Sequence, residues 1–299
     1  MSYGHYGPKP GVKEIVLTQI IDVFKIRIGT LMAITALAGF AVTPGVTLTG
    51  WQLFILALIT LTASASAGAF NQYIERDLDA QMQRTKTRPF ASGAFSDKQR
   101  WLWGIALLLL LSVAVGHWLF NFAVAVNLFM GAFFYGVVYT LWLKRRTPWN
   151  IVIGGAAGSF AVLAGAAAAN PDLNPASILL AIILFLWTPP HFWSLAIALH
   201  KDYAAAKVPM LPVLRGDRYT AKVILLNTLL LVATSIAPFF YGLGWLYLGG
   251  AIIGGAYFIY RSIRLLQDPN PKTAIRCFLA SLIQLSAVLI TAILDSRFI

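Results

Sequence analysis

The sequence predicts an all-α, polytopic membrane protein with nine transmembrane helices. Its 299 residues are 59% apolar and only 11% charged, whereas soluble proteins carry about 25% charged residues. Nine apolar runs follow one another, and a run of about 20 residues is enough to cross about 30 Å of hydrocarbon. The loops between the runs are too short for a separate soluble domain. We therefore expect a single membrane domain over residues 15–299, preceded by a flexible tail of residues 1–14.

The nine apolar runs share high Ala, Gly and Leu content, and several begin or end at a tryptophan, as expected at a membrane interface. In chain order they are Ile28–Val42, Trp51–Phe70, Trp101–Leu119, Phe122–Leu143, Ile151–Ala169, Ser177–Leu199, Val223–Phe240, Trp245–Ser262 and Ala274–Leu294. The first run is short, so we expect its helix to extend back through Val16–Lys25. The frequent glycines permit close approach between helices in lipid.

The distribution of cations predicts the orientation. With nine spans, 22 of the 23 Lys and Arg residues fall on one face of the membrane and Arg297 falls on the other. Because cations accumulate on the cytoplasmic side, we expect a cytoplasmic N-terminus and a periplasmic C-terminus. The N-terminal residues lack a signal or transit pattern, which favours a bacterial inner membrane. The net charge of +12 lies in loops rather than on one soluble face, which argues against a nucleic-acid partner.

A polar cluster follows the second run. If the helix continues, Asn71, Glu75 and Asp79 lie at i, i+4 and i+8 and share one face, whereas Asp77 points elsewhere. An amide oxygen and carboxylates are hard ligands, and Mg²⁺ is typically held by one or two carboxylates together with substrate phosphates. The sequence therefore predicts a magnesium site on this face. The alternative reading is a solvated loop.

Cations follow this cluster at once. Arg84 and Arg88 carry guanidinium groups that match phosphate oxygens in a bidentate manner. An acidic stripe followed by a basic stripe indicates a metal–diphosphate site. The alternative for each cation is a purely topological charge on the cytoplasmic side.

The second polar cluster lies in the sixth run. Pro189 and Pro190 remove two backbone donors, so we expect them to break or kink the helix in mid-span. His191 directly follows, and an ionisable residue at such depth is a functional candidate. If the helix resumes, Asp202 lies on the same face as His191, about 16 Å further along the axis, at the water edge with Lys201.

Four blocks of sequence resemble the UbiA-type intramembrane prenyltransferases, and in particular the branch that farnesylates haem. The blocks are Asn71–Pro89, Lys144–Gly158, Trp187–Trp193 and Lys201–Pro212. The resemblance implies an all-helical fold around a central cavity open to the cytoplasmic side, with farnesyl diphosphate and haem B as substrates and Mg²⁺ as cofactor. Gln72 and Glu75 depart from the aspartates that are usual in the wider superfamily.

The resemblance also implies residue roles. Asn71, Glu75, Asp79 and Asp202 are expected to hold Mg²⁺ and, with His191, to form the catalytic set. Arg84, Arg88 and Lys201 are expected to bind diphosphate. Tyr203, Asn150 and Trp193 are expected to bind substrate.

Two alternatives stay open at this point. Another member of the superfamily, acting on a quinone precursor or a chlorophyllide, would share the first cluster, although the Thr-Pro-Pro-His and Lys-Asp-Tyr blocks argue against it. A transporter would also tolerate broken helices and charges in mid-membrane, but the charges here gather at one face. Expected partners are the lipid bilayer and, beyond the substrates, a second copy of the chain or an enzyme of haem metabolism.

Overall fold

The computed structural model describes residues 12–95, 98–172 and 174–296, and every regular element in these ranges is a helix. The α-helices are α1 Val12–Val23, α2 Ile26–Ala41, α3 Gly50–Ile74, α4 Arg76–Asp79, α5 Lys98–Leu119, α6 Phe122–Phe133, α7 Asn150–Gly154, α8 Ala156–Ala169, α9 Pro175–Ala198, α10 His200–Ala205, α11 Leu211–Arg215, α12 Asp217–Ile236, α13 Trp245–Gln267 and α14 Pro271–Asp295. A π-helix, Phe134–Leu143, continues α6, and a 3₁₀ helix, Ala237–Tyr241, continues α12. The predicted all-α fold is confirmed.

Seven helical segments of the described chain are long and apolar enough to cross a membrane. They are Gly50–Ile74, Gln99–Leu119, Phe122–Leu143, Asn150–Ala169, Pro175–Ala198, Asp217–Tyr241 and Pro271–Asp295. Helix α2 has only 16 residues, and α13 contains glycines, tyrosines and two arginines that dilute its apolar character. Both correspond to predicted spans, so the count of nine crossings stays a prediction.

The N-terminal region differs from the expected single long helix. Helices α1 and α2 are separated at Lys25, whose backbone is left-handed with φ 47° and ψ 46°. A left-handed residue cannot continue a right-handed helix, so the expected extension of the first span through Val16–Lys25 was wrong. Helix α1 begins at Val12, inside the stretch predicted as a tail, whereas residues 1–11 and Arg297 lie outside the described residues.

The proline pair in α9 does not break the helix. Pro189 and Pro190 lie inside a continuous α-helix of 24 residues, so the helix is not broken there, and a kink at the pair stays a prediction. Each proline removes one bond to the carbonyl four residues earlier. The residues around the pair are buried against neighbouring helices, and burial within protein is the condition under which lost backbone bonds are tolerated at membrane depth.

The long helices pack in a closed ring. In order around the ring, each helix contacts the next one. The order is α3, α5, α6, α8, α9, α12, α13, α14 and α2, and α2 in turn contacts α3. Helices α2 and α8 also pack face to face, because Gly39 lies against the Val162 carbonyl and Gly165 against the Ala36 carbonyl. The ring agrees with helices arranged around a centre, and the cavity and its cytoplasmic opening stay predictions.

The outside of the ring is apolar. Large side chains that are more than half exposed include Trp51, Trp103, Trp118, Leu226 and Ile253. Exposed aliphatic and aromatic surface of this extent is costly in water and favourable in lipid. The surface is therefore that of a multi-pass membrane protein.

Candidate active site

The first polar cluster lies where α3 ends. Asn71 is in the last turn of α3, Glu75 caps its C-terminus and Asp79 closes α4. The backbone bonds from Glu75 N to Asn71 O, 2.9 Å, and from Asp79 N to Glu75 O, 2.7 Å, preserve the four-residue spacing across the junction. The exposed fractions of Asn71, Glu75 and Asp79 are 2%, 1% and 3%, whereas the side chain of Asp77 is 58% exposed.

Cations from three separate segments contact this cluster. Lys25 Nζ donates to Asn71 Oδ1 at 2.6 Å, and Lys144 Nζ donates to Glu75 Oε2 at 2.5 Å. Both lysines reach the cluster from turns that are distant in the chain. Because a buried carboxylate without a partner is costly, the Glu75–Lys144 pair satisfies a requirement of the fold itself.

The other two acids pair with arginines. Arg88 donates to both carboxylate oxygens of Asp79, at 2.8 and 3.0 Å. Arg145 forms a fork with Asp77, at 2.8 and 2.7 Å, on the exposed side. The exposed pair is screened by solvent and contributes little to stability, whereas the Asp79–Arg88 pair is largely enclosed.

The π-helix faces α3 and supplies the aromatic part of the site. Tyr135 and Tyr139 stack with ring centroids 5.7 Å apart. Thr140 Oγ1 donates to the Tyr135 carbonyl and accepts a bond of 3.0 Å from Asn71 Nδ2. π-Helical turns are rare in proteins, and those that occur are often at functional sites. Here its five-residue repeat brings Tyr135 and Thr140 to the same side as the polar cluster.

Each tyrosine ring of this pair carries a lysine. The Lys25 ammonium lies 5.5 Å from the Tyr135 ring centroid, and the Lys144 ammonium lies 5.4 Å from that of Tyr139. Lys25 Nζ also bonds the Tyr135 hydroxyl at 3.0 Å. The site therefore joins buried acids, buried cations and two aromatic faces in one place.

These contacts and the burial of the site shift the pKa values of side chains in and beside the connecting turns. Burial, reinforced by Arg88, lowers the pKa of Lys25 to about 7. Burial lowers the pKa of Lys144, but the adjacent Glu75 carboxylate together with Tyr203 and Tyr135 outweighs it, and the net shift of the pKa is upward. The hydrogen bond from Arg145 lowers the pKa of Asp77.

The cluster fits a hard cation that is also held by a phosphate. Within the described ranges, no three His, Cys, Asp or Glu side chains converge into a metal site, so Asp202 does not join Glu75 and Asp79. Glu75 Oε1 is nevertheless buried without a hydrogen-bond partner. Such an oxygen can accept a cation, and Mg²⁺ needs only one or two carboxylates when substrate phosphates complete its shell.

The second cluster is built around His191. Its exposed fraction is 6%, and its ring stacks on Trp187 at 4.1 Å and on Phe278 at 4.4 Å. Its Nδ1 lies 2.7 Å from the Ser281 hydroxyl on α14. Helix α9 ends at Ala198, and Leu199, with φ −110° and ψ 28°, separates it from α10, so the straight-helix register expected between His191 and Asp202 does not hold.

The other predicted residues differ in exposure. Lys201 and Arg84 are exposed and Asp202 is half-buried. Tyr203, Asn150 and Trp193 are buried, at 7%, 0% and 1% exposure. The Trp193 indole N–H and the Asn150 Oδ1 atom have no partner.

The two clusters share one hydrophobic core. That core contains Leu78 and Met82, next to the first cluster, together with Tyr203 and Trp193 of the second.

A separate cavity of about 510 Å³ lies outside this region. It is formed between α3, α5, α6 and the π-helix, and its lining includes Phe70, Trp103, Phe129 and Phe133. None of the predicted site residues lines it. The predicted site residues therefore lie at the polar clusters and not in this apolar cavity.

Sequence reasoning missed several residues that the structure brings to the site. Lys25 was counted only as an orientation charge, and Tyr135, Tyr139 and Thr140 were read as ordinary residues of an apolar run. Ser281 carried no signal either, because a serine in a membrane helix is commonly a packing residue. Of these residues only Lys25 has a recognisable signal in the sequence, because it is a cation next to an apolar run.

The model of the UbiA prenyltransferase family matches residues 32–286. The chain belongs to the UbiA prenyltransferase family. It is 52% identical over 278 residues to protoheme IX farnesyltransferase 2 of Paramagnetospirillum magneticum, covering 93% of this chain and 96% of the relative. It is 40% identical over 286 residues to the protoheme IX farnesyltransferase of Bartonella quintana, covering 94% and 90%.

Solved UbiA-family structures show the same fold. A digeranylgeranylglyceryl phosphate synthase structure covers 95% of this chain and 99% of its own, with a TM-score of 0.78 and 18% identity. A UbiA homologue of Archaeoglobus fulgidus bound to GPP and Mg²⁺ covers 90% and 99%, with a TM-score of 0.65 and 14% identity. The prediction of a membrane prenyltransferase rather than a transporter is confirmed by the family membership and the relatives.

Proposed function

We propose that this prenyltransferase transfers the farnesyl group of farnesyl diphosphate to a vinyl group of haem B. The C1–O bond of farnesyl diphosphate breaks, C1 bonds to a vinyl carbon, and water adds to the adjacent carbon, so that haem O, diphosphate and a proton are formed. The acceptor is inferred from the relatives that are named protoheme IX farnesyltransferases. The observation that carries the proposal is the buried Asn71, Glu75 and Asp79 face with its unpartnered Glu75 Oε1.

Asn71, Glu75 and Asp79 are the residues that would hold Mg²⁺, and Asp202 of α10 would contribute a further carboxylate. The cation would neutralise the charge of the diphosphate leaving group. The A. fulgidus homologue bound to GPP and Mg²⁺ supports a metal requirement.

The protein's own cations bind the diphosphate. Arg84, Arg88 and Lys201 carry this role, and Lys25 and Lys144 join them because their ammonium groups already reach the acidic face. Before substrate binds, Lys144 and Arg88 neutralise Glu75 and Asp79 directly, and Lys25 donates to the Asn71 amide oxygen. When substrate binds, the same cations turn to phosphate oxygens, and they stabilise the charge that develops as the C1–O bond breaks.

Apolar and aromatic groups handle the farnesyl chain and the acceptor. Burial of the site excludes bulk water from the allylic cation, which would otherwise form farnesol. His191 contacts the haem or handles a proton. Asn150 and Trp193 contact substrate with polar atoms that lack protein partners, and Tyr203 also contacts substrate. Only the water that adds to the haem side chain is admitted.

The location of the enzyme follows from the charge distribution. We infer the inner membrane of a bacterium, with the N-terminus in the cytoplasm, the C-terminus in the periplasm and the site open to the cytoplasm, where the diphosphate enters. A second copy of the chain, or an enzyme that supplies or consumes haem, is a candidate partner for a product that is itself poorly soluble.

The test is conversion of haem B by the purified protein in detergent. We expect a farnesylated, hydrated haem by mass and release of diphosphate, both lost when Mg²⁺ is chelated. Asp79→Asn is expected to lower turnover at least about 100-fold, the scale of losing one electrostatic contact in a transition state. Asp77→Asn is the matched control, since its side chain is exposed.

Asp77→Asn is expected to stay within about threefold of the unaltered protein, because an exposed ion pair contributes less than about 1 kcal/mol. Equal losses in the two variants would remove the proposed role of Asp79. Absence of both product and diphosphate release in the unaltered protein would refute the farnesyl transfer.

A further inference from the structure

The imidazole of His191 is enclosed on both faces. The Trp187 ring stacks on it at 4.1 Å with an interplanar angle of 22°, and the Phe278 ring at 4.4 Å with 28°. Two rings at these distances are too close to share one face, so they cover opposite faces. Interactions through the π-face of His191 are therefore excluded, and only the edge of the ring can meet a ligand.

One of the two edge nitrogens is already used. Nδ1 lies 2.7 Å from Ser281 Oγ, and Ser281 Oγ lies 2.6 Å from the Phe278 carbonyl. A carbonyl only accepts, so the single hydroxyl hydrogen of Ser281 is donated to Phe278 O. Ser281 must then accept from His191, which fixes the tautomer with hydrogen on Nδ1.

The other edge nitrogen is left with its lone pair. Among the described residues, the imidazole of His191 makes no hydrogen bond other than the one to Ser281. The residue as a whole keeps 6% exposure, and Phe192 approaches its ring in a T-shaped contact with centroids 5.0 Å apart. A neutral imidazole with Nδ1–H bound to a fixed acceptor and a free Nε2 is the arrangement that proteins use for histidine metal ligands.

We propose that Ser281 is a positioning residue that presents the His191 Nε2 lone pair as an axial ligand to the iron of the haem substrate. This inference rests on the proposed function, because only a haem acceptor brings iron to the site. Ligation along the Fe–N axis would fix the distance and orientation of the macrocycle, and thereby the position of its vinyl group. The allylic carbon of farnesyl diphosphate then meets one edge of the macrocycle, the edge that carries this vinyl group, instead of several.

Ser281 is suited to this role by a second contact. Its carbonyl accepts the indole N–H of Trp187 at 2.7 Å, so one residue of α14 holds both the imidazole and a ring that covers it. The residue is fully buried, and the contacts join α9 to α14. A hydroxyl that served packing alone would not need to meet the histidine at hydrogen-bonding distance.

The experiment titrates ferric haem B into the purified full-length protein and records the absorption and electron paramagnetic resonance spectra of the bound haem. For the unaltered protein we expect the signature of histidine ligation. Ser281→Ala should alter that signature and weaken haem binding about 10- to 100-fold, the usual effect of losing a partner of a metal-bound histidine. Ser281→Thr, which keeps the hydroxyl, should restore the spectrum.

Ser262→Ala is the matched control. Ser262 is a fully buried serine of the adjacent helix α13, and its hydroxyl meets Thr228 and Cys277 instead of His191. Thermal unfolding is measured for both alanine variants, because a purely structural serine would lower the unfolding temperature without changing the haem spectrum. For a Ser281→Ala protein that does not fold, Ser281→Cys gives the same comparison with a weaker acceptor.

The inference is overturned when the haem spectrum of the unaltered protein lacks histidine ligation, or when Ser281→Ala leaves the spectrum unchanged. A change in the pH profile of turnover without a spectral change would also overturn it, since His191 would then act as a base. Product formation is measured in parallel. If the spectrum shows no histidine ligation but product still forms, the inference fails and the proposed farnesyl transfer stands. If the unaltered protein forms no product, the proposed function is refuted.

Discussion

Lys144 and Arg145 are neighbours in the chain and pair with acids two positions apart. Lys144 meets Glu75 in a buried setting, with side-chain exposures of 13% and 2%, whereas Arg145 and Asp77 are 45% and 58% exposed. Removing one partner of a buried pair leaves an uncompensated charge and costs about 3–5 kcal/mol. Removing one partner of an exposed pair costs less than about 1 kcal/mol.

We therefore predict that Lys144→Met destabilises the protein by about 3 kcal/mol, with Arg145→Met below about 1 kcal/mol. The measurement is reversible unfolding of the detergent-solubilised protein in increasing denaturant. Both substitutions remove one positive charge from the same turn, so net charge cancels in the comparison. Equal destabilisation by the two would mean that the Glu75 carboxylate is solvated and that the pair is not structural.

At this scale the sequence predicted acids better than cations. Glu75 and Asp79 stood out because carboxylates in a membrane chain are energetically costly, and Asn71 shares their helical spacing. Lys25 could not be recognised as a site residue, because the orientation rule accounts equally well for any cytoplasmic cation. Its partner Asn71 is 46 positions away, and no local pattern connects residues at that separation.

At the scale of elements, the positions of the helices were predictable and their irregularities were not. Period and hydrophobicity locate a helix, but they do not distinguish an α-helix from the π-helix Phe134–Leu143. Nor did they show that Pro189 and Pro190 would be held inside a continuous helix. Both outcomes depend on contacts with neighbouring helices, which compensate for strained or missing backbone bonds.

The contact between α2 and α8 gives a prediction for a helix pair. A methyl group added at Gly165 would overlap the Ala36 carbonyl, so Gly165→Ala must force the two helices apart. Overpacking costs typically about 1–3 kcal/mol, and a clash with backbone exceeds what side chains can absorb. We expect a loss of at least about 3 kcal/mol in unfolding free energy, or failure to accumulate in the membrane.

Gly104→Ala is the control for this substitution. Gly104 lies in α5, and nothing lies within 4 Å of the position that its Cβ would occupy. Replacing an unobstructed helical glycine by alanine is favourable by about 1 kcal/mol. The idea of a glycine-mediated contact would be abandoned if Gly165→Ala behaved like Gly104→Ala in the same unfolding assay.

At the scale of the whole molecule, the order of apolar runs determined most of the architecture. Each predicted run corresponds to one helical segment, and these segments close into a ring through successive contacts. Composition did not determine which segments meet inside the ring. The direct packing of α2 on α8 depends on two glycines and two backbone carbonyls that only the folded arrangement brings together.

Orientation in the membrane is a property of the whole chain, and single cysteines test it. The one native cysteine, Cys277, is fully buried, so it should not react with a membrane-impermeant maleimide. Gln83→Cys places a thiol at an exposed position of the loop after α4, and Val46→Cys places one between α2 and α3, where the native side chain is 61% exposed.

We predict that Val46→Cys is labelled in intact bacterial cells and that Gln83→Cys is labelled only in inverted membrane vesicles. The reason is that the loop with Gln83 carries the cations that the cytoplasmic side retains. The unaltered protein measures background labelling, and both variants are checked for haem farnesylation so that a misfolded chain is not scored. The opposite labelling pattern would place the acidic face of α3 and α4 on the periplasmic side, where a cytoplasmic diphosphate substrate has no direct access.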